Sequence, residues 1–390
     1  MANDARIVGW AHGKFGQSEA ADLQTLIAEV APGALAHAGL AEADVDGVFL
    51  GVYNNGFLAQ SFEAGLVGMA MPGLALTPSA RFESACATGS AALYAALDFV
   101  NAGRGRVALV IGAEKMTTVA PQEAAALMIK GSYMPEEGHF TPGFAGVFGH
   151  IAETYFQRYG DRSEELAMIA AKNHANGMHN PYAHFRKDLG VAFCNDVSDK
   201  NPIVAGPLRR TDCSPISDGA AALVIADAAT ANKLNRAIAF RAHSQAQDVM
   251  ALSGRDMTEF AGAARAWASS LAQAGMTLDD LDLVETHDCF TIAELIEYEA
   301  MGLAERGRGG DVIREGLTQR GGRLPVNLSG GLKSRGHPLG ATGVSMHVMA
   351  AMQLAGEAGD MQLPGATVAG VFNMGGAAVT NYSSILERVK

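Results

Sequence analysis

Short apolar runs rich in Val, Ile, Leu and Ala recur along the chain at 7–10, 47–52, 108–112, 220–225, 238–242, 283–286 and 368–372. Runs of this length bounded by turn residues predict buried β-strands. Between them lie longer stretches at 22–38, 88–101, 257–274, 292–301 and 343–355, each followed within two residues by glycine. These predict helices, since glycine readily takes the left-handed backbone that ends one. Pro32 falls inside the first and predicts a kink or a later start. The alternation of strand and helix predicts an α/β fold with helices on both sides of mixed sheets.

The pattern also repeats. Ala38-Gly-Leu-Ala-Glu-Ala-Asp44-Val-Asp46-Gly-Val48 resembles Ala274-Gly-Met-Thr-Leu-Asp-Asp280-Leu-Asp282-Leu-Val284. Ala87-Thr-Gly89 is echoed by Ala341-Thr-Gly343, and 107–111 by 368–372. The starts of the two series, at 6–12 and 238–243, correspond as well. Four echoes in one order predict a duplicated αβ unit. The halves expected are 1–116, completed by 213–230, and 231–390. Residues 117–212 have no counterpart in the second half and carry His139, His150, His174, His179 and His184. They predict an inserted loop domain over the active face.

Composition narrows the function. The chain has 390 residues, 48% hydrophobic and 18% charged, which excludes a disordered chain. A net charge of −12 argues against nucleic acid or an anionic membrane as the main partner. Cys86, Cys194, Cys213 and Cys289 form no CxxC pair and no zinc-spaced cluster, so neither a disulfide scaffold nor a metal is expected. The polar start at residues 1–6, the lack of about 20 uninterrupted apolar residues and an Arg388-Val389-Lys390 end predict a cytoplasmic protein.

Four segments could carry chemistry. In Ser84-Ala-Cys86-Ala-Thr-Gly89 a thiol precedes the first turn of a small-residue helix, where free amides would lower its pKa and hold an oxyanion. The alternative is a buried cysteine that acts as a small hydrophobe. In Gly330-Gly-Leu-Lys-Ser-Arg-Gly336-His337-Pro338-Leu-Gly340 an irregular loop fixes one imidazole. A phosphate loop is the alternative, but Walker A spacing is missing. By the repeat, Gly340 is the counterpart of Cys86, so the thiol and the His337 loop should meet across a pseudo-twofold axis. Thr286-His287-Asp288-Cys289-Phe290 follows a strand, where an open α/β sheet places catalytic groups. A metal could not face three successive residues on extended backbone. Asn373-Met-Gly375-Gly376 is a glycine turn after a strand that could expose backbone amides, but by itself it reads better as a plain strand turn.

Together these segments resemble the thiolase superfamily over essentially the whole chain, and within it the sterol-carrier-protein-2-type thiolases and acetyl-CoA acetyltransferases. The resemblance implies a five-layered αβαβα fold. It implies Cys86 as the acyl-accepting nucleophile and His337 as its base. Most thiolases place a second cysteine where Asn373-Met-Gly375 stands. In the similar subfamily it lies in the His-Asp-Cys-Phe loop, which makes Cys289 the proton shuttle. His287 would hold a water for one oxyanion hole, and the amides of Cys86 and Gly375 would form the other. Asp288 and Asn373 would support these groups. Coenzyme A thioesters are the implied substrates, with no cofactor. A homodimer or tetramer is implied, and a small zinc-ribbon protein is a partner of some relatives. Retention of Cys86, Cys289 and His337 disfavours a retro-aldol lyase or a non-catalytic acyl-CoA scaffold. A second cysteine also disfavours a ketoacyl synthase.

Overall fold

The computed structural model describes residues 5–390, so most of the polar start lies outside the described residues. Nine strands of the described residues form the main sheet. They are β1 (Arg6–His12), β2 (Gly47–Gly51), β3 (Ser79–Phe82), β4 (Val107–Glu114), β5 (Gly219–Ala226), β6 (Ile238–Gln247), β7 (Leu283–Glu285), β8 (Val368–Gly375) and β9 (Thr380–Arg388). Their order in space is β3-β2-β4-β5-β1-β6-β9-β8-β7. One order occurs twice: β2-β4-β5-β1 in the first half matches β7-β8-β9-β6 in the second. Each set has one parallel pair, β2/β4 or β7/β8, followed by antiparallel pairs. The two sets are continuous at a narrow seam, where Arg6 and Ile7 of β1 pair with Ala239 and Ile238 of β6.

Strand residues alternate between two faces. Leu109 and Ile111 pack toward α1 (Leu23–Ala38), while Ala108 and Val110 pack toward the middle of the molecule. That middle layer holds α2 (Thr88–Asn101) and α7 (Leu339–Ala355). Outside the second half lies α5 (Ala261–Ala274). Helix, sheet, helix pair, sheet and helix make the five layers. Helix α7 is buried all round from Leu339 to Leu354, as a helix between two sheets must be.

Some boundaries differ from expectation. Helix α1 starts at Leu23 and continues past Pro32, with Leu26, Ile27, Val30, Ala31, Ala34 and Leu35 buried on both sides of the proline. Helix α5 starts at Ala261, after Phe260 takes a left-handed φ of 50°. Helix α7 starts four residues before the glycine at which it was expected. Strands β3 and β9 had no apolar signature. Segment 117–212 contributes no strand to the main sheet among the described residues. It folds as helices, among them Pro121–Met128, α3 (Phe144–Tyr159) and α4 (Ser163–Gly177), with a short hairpin. It packs on α6 (Thr291–Ala300) of the second half.

Candidate active site

Cys86 sits two residues before α2, on a sharp turn in which Ala85 adopts a left-handed φ of 48°. A non-glycine residue in that region stores strain and needs the surroundings to hold it. The amides of Ala87 and Thr88 close the turn onto the carbonyls of Ser84 and Ala85. Gly375 permits it, because a Cβ there would collide with the Ser84 carbonyl. Two backbone amides, those of Gly376 and of Cys86 itself, donate to the sulfur. The expected lowering of the thiol pKa is not what the structure gives. Burial outweighs the helix start and pushes the Cys86 thiol up to about 12, with Glu83 and Glu114 adding to the rise.

His337 lies between the short helix Gly331–Arg335 and α7, and its amide donates to Ser217 Oγ at 3.3 Å. Its Nδ1 is 3.4 Å from Thr342 Oγ1, whose own proton goes to the Pro338 carbonyl at 2.9 Å. The hydroxyl is thus left to accept, so the partners assign the proton to Nδ1 and a free lone pair to Nε2. That Nε2 is buried without a partner among the described residues. Burial and the Arg335 guanidinium lower the ring pKa to about 3, so it is a neutral base at any ordinary pH.

His287 is fully buried, and its ring meets that of His337 edge-on, centroids 5.0 Å apart at 80°. Its Nδ1 lies 2.8 Å from Asn373 Nδ2, while its Nε2 has no partner among the described residues. The nearest ligand-type atoms of Cys86, His287 and His337 all lie within 4.8 Å of one another. The thiol and the His337 loop therefore do meet between the halves. Cys289 shares the wall of one cavity with Cys86 and His337, its thiol raised far above the usual range by burial and by Cys86. Asp288 is engaged by other groups. Its carboxylate accepts from the amides of Leu332 and Lys333 at 2.6 and 3.2 Å and from Asn173 at 2.7 Å, which anchors the helix ahead of His337. On the other side, Glu114 accepts from the amides of Tyr53, Asn54 and Gly340 at 2.8–2.9 Å.

The cavity measures about 250 Å³ and is mainly apolar. Met128, Pro142, Phe144 and Phe148 from segment 117–212 form its far wall, while none of the five histidines of that segment lines it. Sequence reading missed three participants. Gly376, one residue beyond Gly375, supplies the amide that reaches the sulfur. Cys213, to which the sequence attached no role, lines the cavity. Thr342 directs His337; its place one turn after the His-Pro pair was the available signal.

Comparison with known proteins agrees with this geometry. Residues 6–229 match the family described as thiolase, N-terminal domain, and residues 244–388 the one described as thiolase C-terminal domain-like. An acetyl-CoA acetyltransferase of Methanothermobacter thermautotrophicus is 36% identical over 389 residues, 99% of this chain and 100% of that protein. Human sterol carrier protein 2 is 32% identical over 401 residues, 96% of this chain and 70% of its own. Among solved structures, an "Ltp2-ChsH2(DUF35) aldolase" has a TM-score of 0.83 at 22% identity, covering 99% of this chain and 98% of that one. Human mitochondrial 3-ketoacyl-CoA thiolase in complex with CoA has a TM-score of 0.75 at 18% identity, with the same coverage. At such identities the two structures speak to the fold. With both family matches spanning nearly its whole length, the chain belongs to the thiolase family.

Proposed function

We propose that this protein is an acyl-CoA C-acyltransferase that condenses acetyl-CoA with an acyl-CoA to a 3-ketoacyl-CoA and cleaves the product in reverse. One observation carries the reading: a ring nitrogen each of His337 and His287 and the Cys86 sulfur lie within 4.8 Å of one another, both Nε2 atoms are unpartnered among the described residues, and a second thiol shares the cavity wall with Cys86. In the first step Cys86 gives its proton to His337 Nε2 as its sulfur attacks the thioester carbonyl. The amides of Cys86 and Gly376, beside the expected Gly375, are the donors for the tetrahedral oxygen. Coenzyme A departs with the proton of Cys289. The Cys289 thiolate then takes an α-proton from the second thioester. Its enolate oxygen faces the His337 imidazolium and the His287 side, where a water would bridge. The enolate carbon attacks acyl-Cys86, and the released Cys86 sulfur recovers its proton from His337.

The halves at 1–116 with 213–230 and at 231–390 would frame the site, with 117–212 as its cover. The acyl group would occupy the cavity behind Cys86, and no bound cofactor or metal enters any step. Among the described residues no helix is long and apolar enough to cross a membrane, and we read the enzyme as cytoplasmic and part of lipid metabolism. We also read it as a homodimer. Supporting this, edge strand β3 leaves its backbone unpaired on one side, with Phe62 and Leu76 81% and 100% exposed nearby. We further propose a small zinc-ribbon partner; one structural neighbour is named with a second component, ChsH2(DUF35).

The test is thiolysis of acetoacetyl-CoA and longer 3-ketoacyl-CoAs by free coenzyme A, with Cys86→Ala and Cys289→Ala alongside. Turnover lost in both variants, with acyl labelling lost only in Cys86→Ala, is the expected result. Aldol cleavage of a hydroxyacyl-CoA by a wild type inert in thiolysis would refute it.

A further inference from the structure

We infer that Asn373 is a positioning residue that sets the tautomer of His287, making that ring a proton donor and leaving His337 as the one of the two imidazoles that acts as base. The Asn373 amide has three contacts. Its Nδ2 lies 3.3 Å from the Cys86 carbonyl and 2.8 Å from His287 Nδ1, and its Oδ1 accepts from Ser90 Oγ at 2.7 Å. The Cys86 carbonyl can only accept, so reversing the amide would set two oxygens face to face. Nitrogen must therefore point that way, and an amide nitrogen has hydrogens only to give. His287 Nδ1 then holds a lone pair, and in a neutral imidazole the proton sits on Nε2. The ring is neutral because burial, His337 and Arg335 all disfavour its charged form. Beside the Cys86 thiol, the unpartnered Nε2 of His337 thus carries a lone pair and that of His287, on a ring 5.0 Å away, an N–H.

The same hydrogen bond bears on metals. A thiol and two imidazoles within 4.8 Å form a donor set that zinc favours, given modest closure to bonds of about 2.0–2.3 Å. With its proton on Nε2, His287 has no lone pair to offer there. Asn373 therefore both equips the oxygen-binding side of the site and denies it to soft metals.

Asn373→Asp tests this, because a carboxylate can only accept from Nδ1–H and would move the lone pair to Nε2. Histidine-selective 15N spectra of the intact protein read the tautomers directly. Wild type is expected to show His287 protonated on Nε2 and His337 on Nδ1. Asn373→Asp should convert His287 to the Nδ1–H form and bind Co2+ with a cobalt–thiolate absorption that disappears when Cys86→Ala is added. Its condensation rate should fall about 100- to 1000-fold, the effect of removing one donor to a developing oxyanion, here the enolate oxygen. If that variant does not fold, Asn373→Ala serves instead, with mixed His287 tautomers expected. Wild-type His287 in the Nδ1–H form overturns the inference, as does a variant that loses rate while its tautomer is unchanged. The rate arm rests on the acyl-transfer reading, whereas the spectra and cobalt binding do not, so failure of one is distinguishable from failure of the other.

Discussion

Gly343→Ala should damage rate and stability through one added methyl group. Gly343 lies in α7 where that helix crosses α2. A Cβ there would sit 2.5 Å from Ser90 Oγ and 2.6 Å from Asn373 Oδ1, and would also collide with the Ser90 amide. Across the crossing, a Cβ on Gly89 would sit 2.7 Å from the Val344 amide. Ordinary contact needs roughly 1 Å more in a close-packed interior, so the helices must part by about that much. Overpacking of this kind costs about 1–3 kcal/mol. The larger effect falls on catalysis, because α2 carries Cys86, α7 carries the His337 loop, and Ser90 and Asn373 lead to His287. A misplacement of about 1 Å between reacting groups costs on the order of 100-fold in rate. Urea unfolding and thiolysis kinetics on the same preparation measure both. A variant with wild-type stability and a rate within about twofold would refute the claim that this crossing sets the distance between thiol and base.

Other outcomes follow from burial and charge. His337 gains a proton only below about pH 3 and Cys86 loses one only near 12, so neither should shape the acylation rate between about pH 5.5 and 9.5. Dependence there should come from Glu114 and Asp288, which burial raises to about 7 and about 8, and a bell near neutrality that survives both Glu114→Gln and Asp288→Asn would contradict the assigned protonation states. Phe148 is buried and stacks on Phe290 at 4.5 Å across the cavity wall. Phe148→Ala should raise kcat/KM for longer acyl chains over short ones by about tenfold or more, as each methylene accommodated contributes about 1–3 kcal/mol, and competition assays with mixed chain lengths would detect it. Lys172 and Glu294 form a fully buried pair at 2.8 Å. Lys172→Met should cost about 3–5 kcal/mol by stranding the carboxylate beside Asp288, and the double variant with Glu294→Gln should recover part of it in the same unfolding measurement.

Much of this site could be read from the chain because its cues are local. A thiol next to a small-residue helix, a His-Pro pair in a glycine loop and a His-Asp-Cys run after a strand each announce themselves within a few residues. The repeat then supplied what local cues lack, namely that residues 86 and 337 meet. Burial was not legible. The helix start at Cys86 does point its amides at the sulfur, yet the enclosing walls come from residues as distant as Phe148 and His337, and they reverse the sign of the shift. Strand β9 was missed for a related reason. Its Asn381, Ser383 and Ser384 read as surface, but each is buried and paired, Ser383 with Ser270 at 2.6 Å and Ser384 with His347 at 2.9 Å. Polar residues satisfied across a layer leave no hydropathy signature.

Gly340 occupies the position that duplication pairs with Cys86. A side chain there would sit 2.5 Å from the Ala113 carbonyl and 2.7 Å from that of Gly51, so backbone fills the space a second nucleophile would need. The duplicated frame therefore has room for an acyl-bearing thiol at one of this pair of positions and an imidazole loop at the other, and stoichiometric labelling should saturate at one acyl group per polypeptide however many subunits assemble.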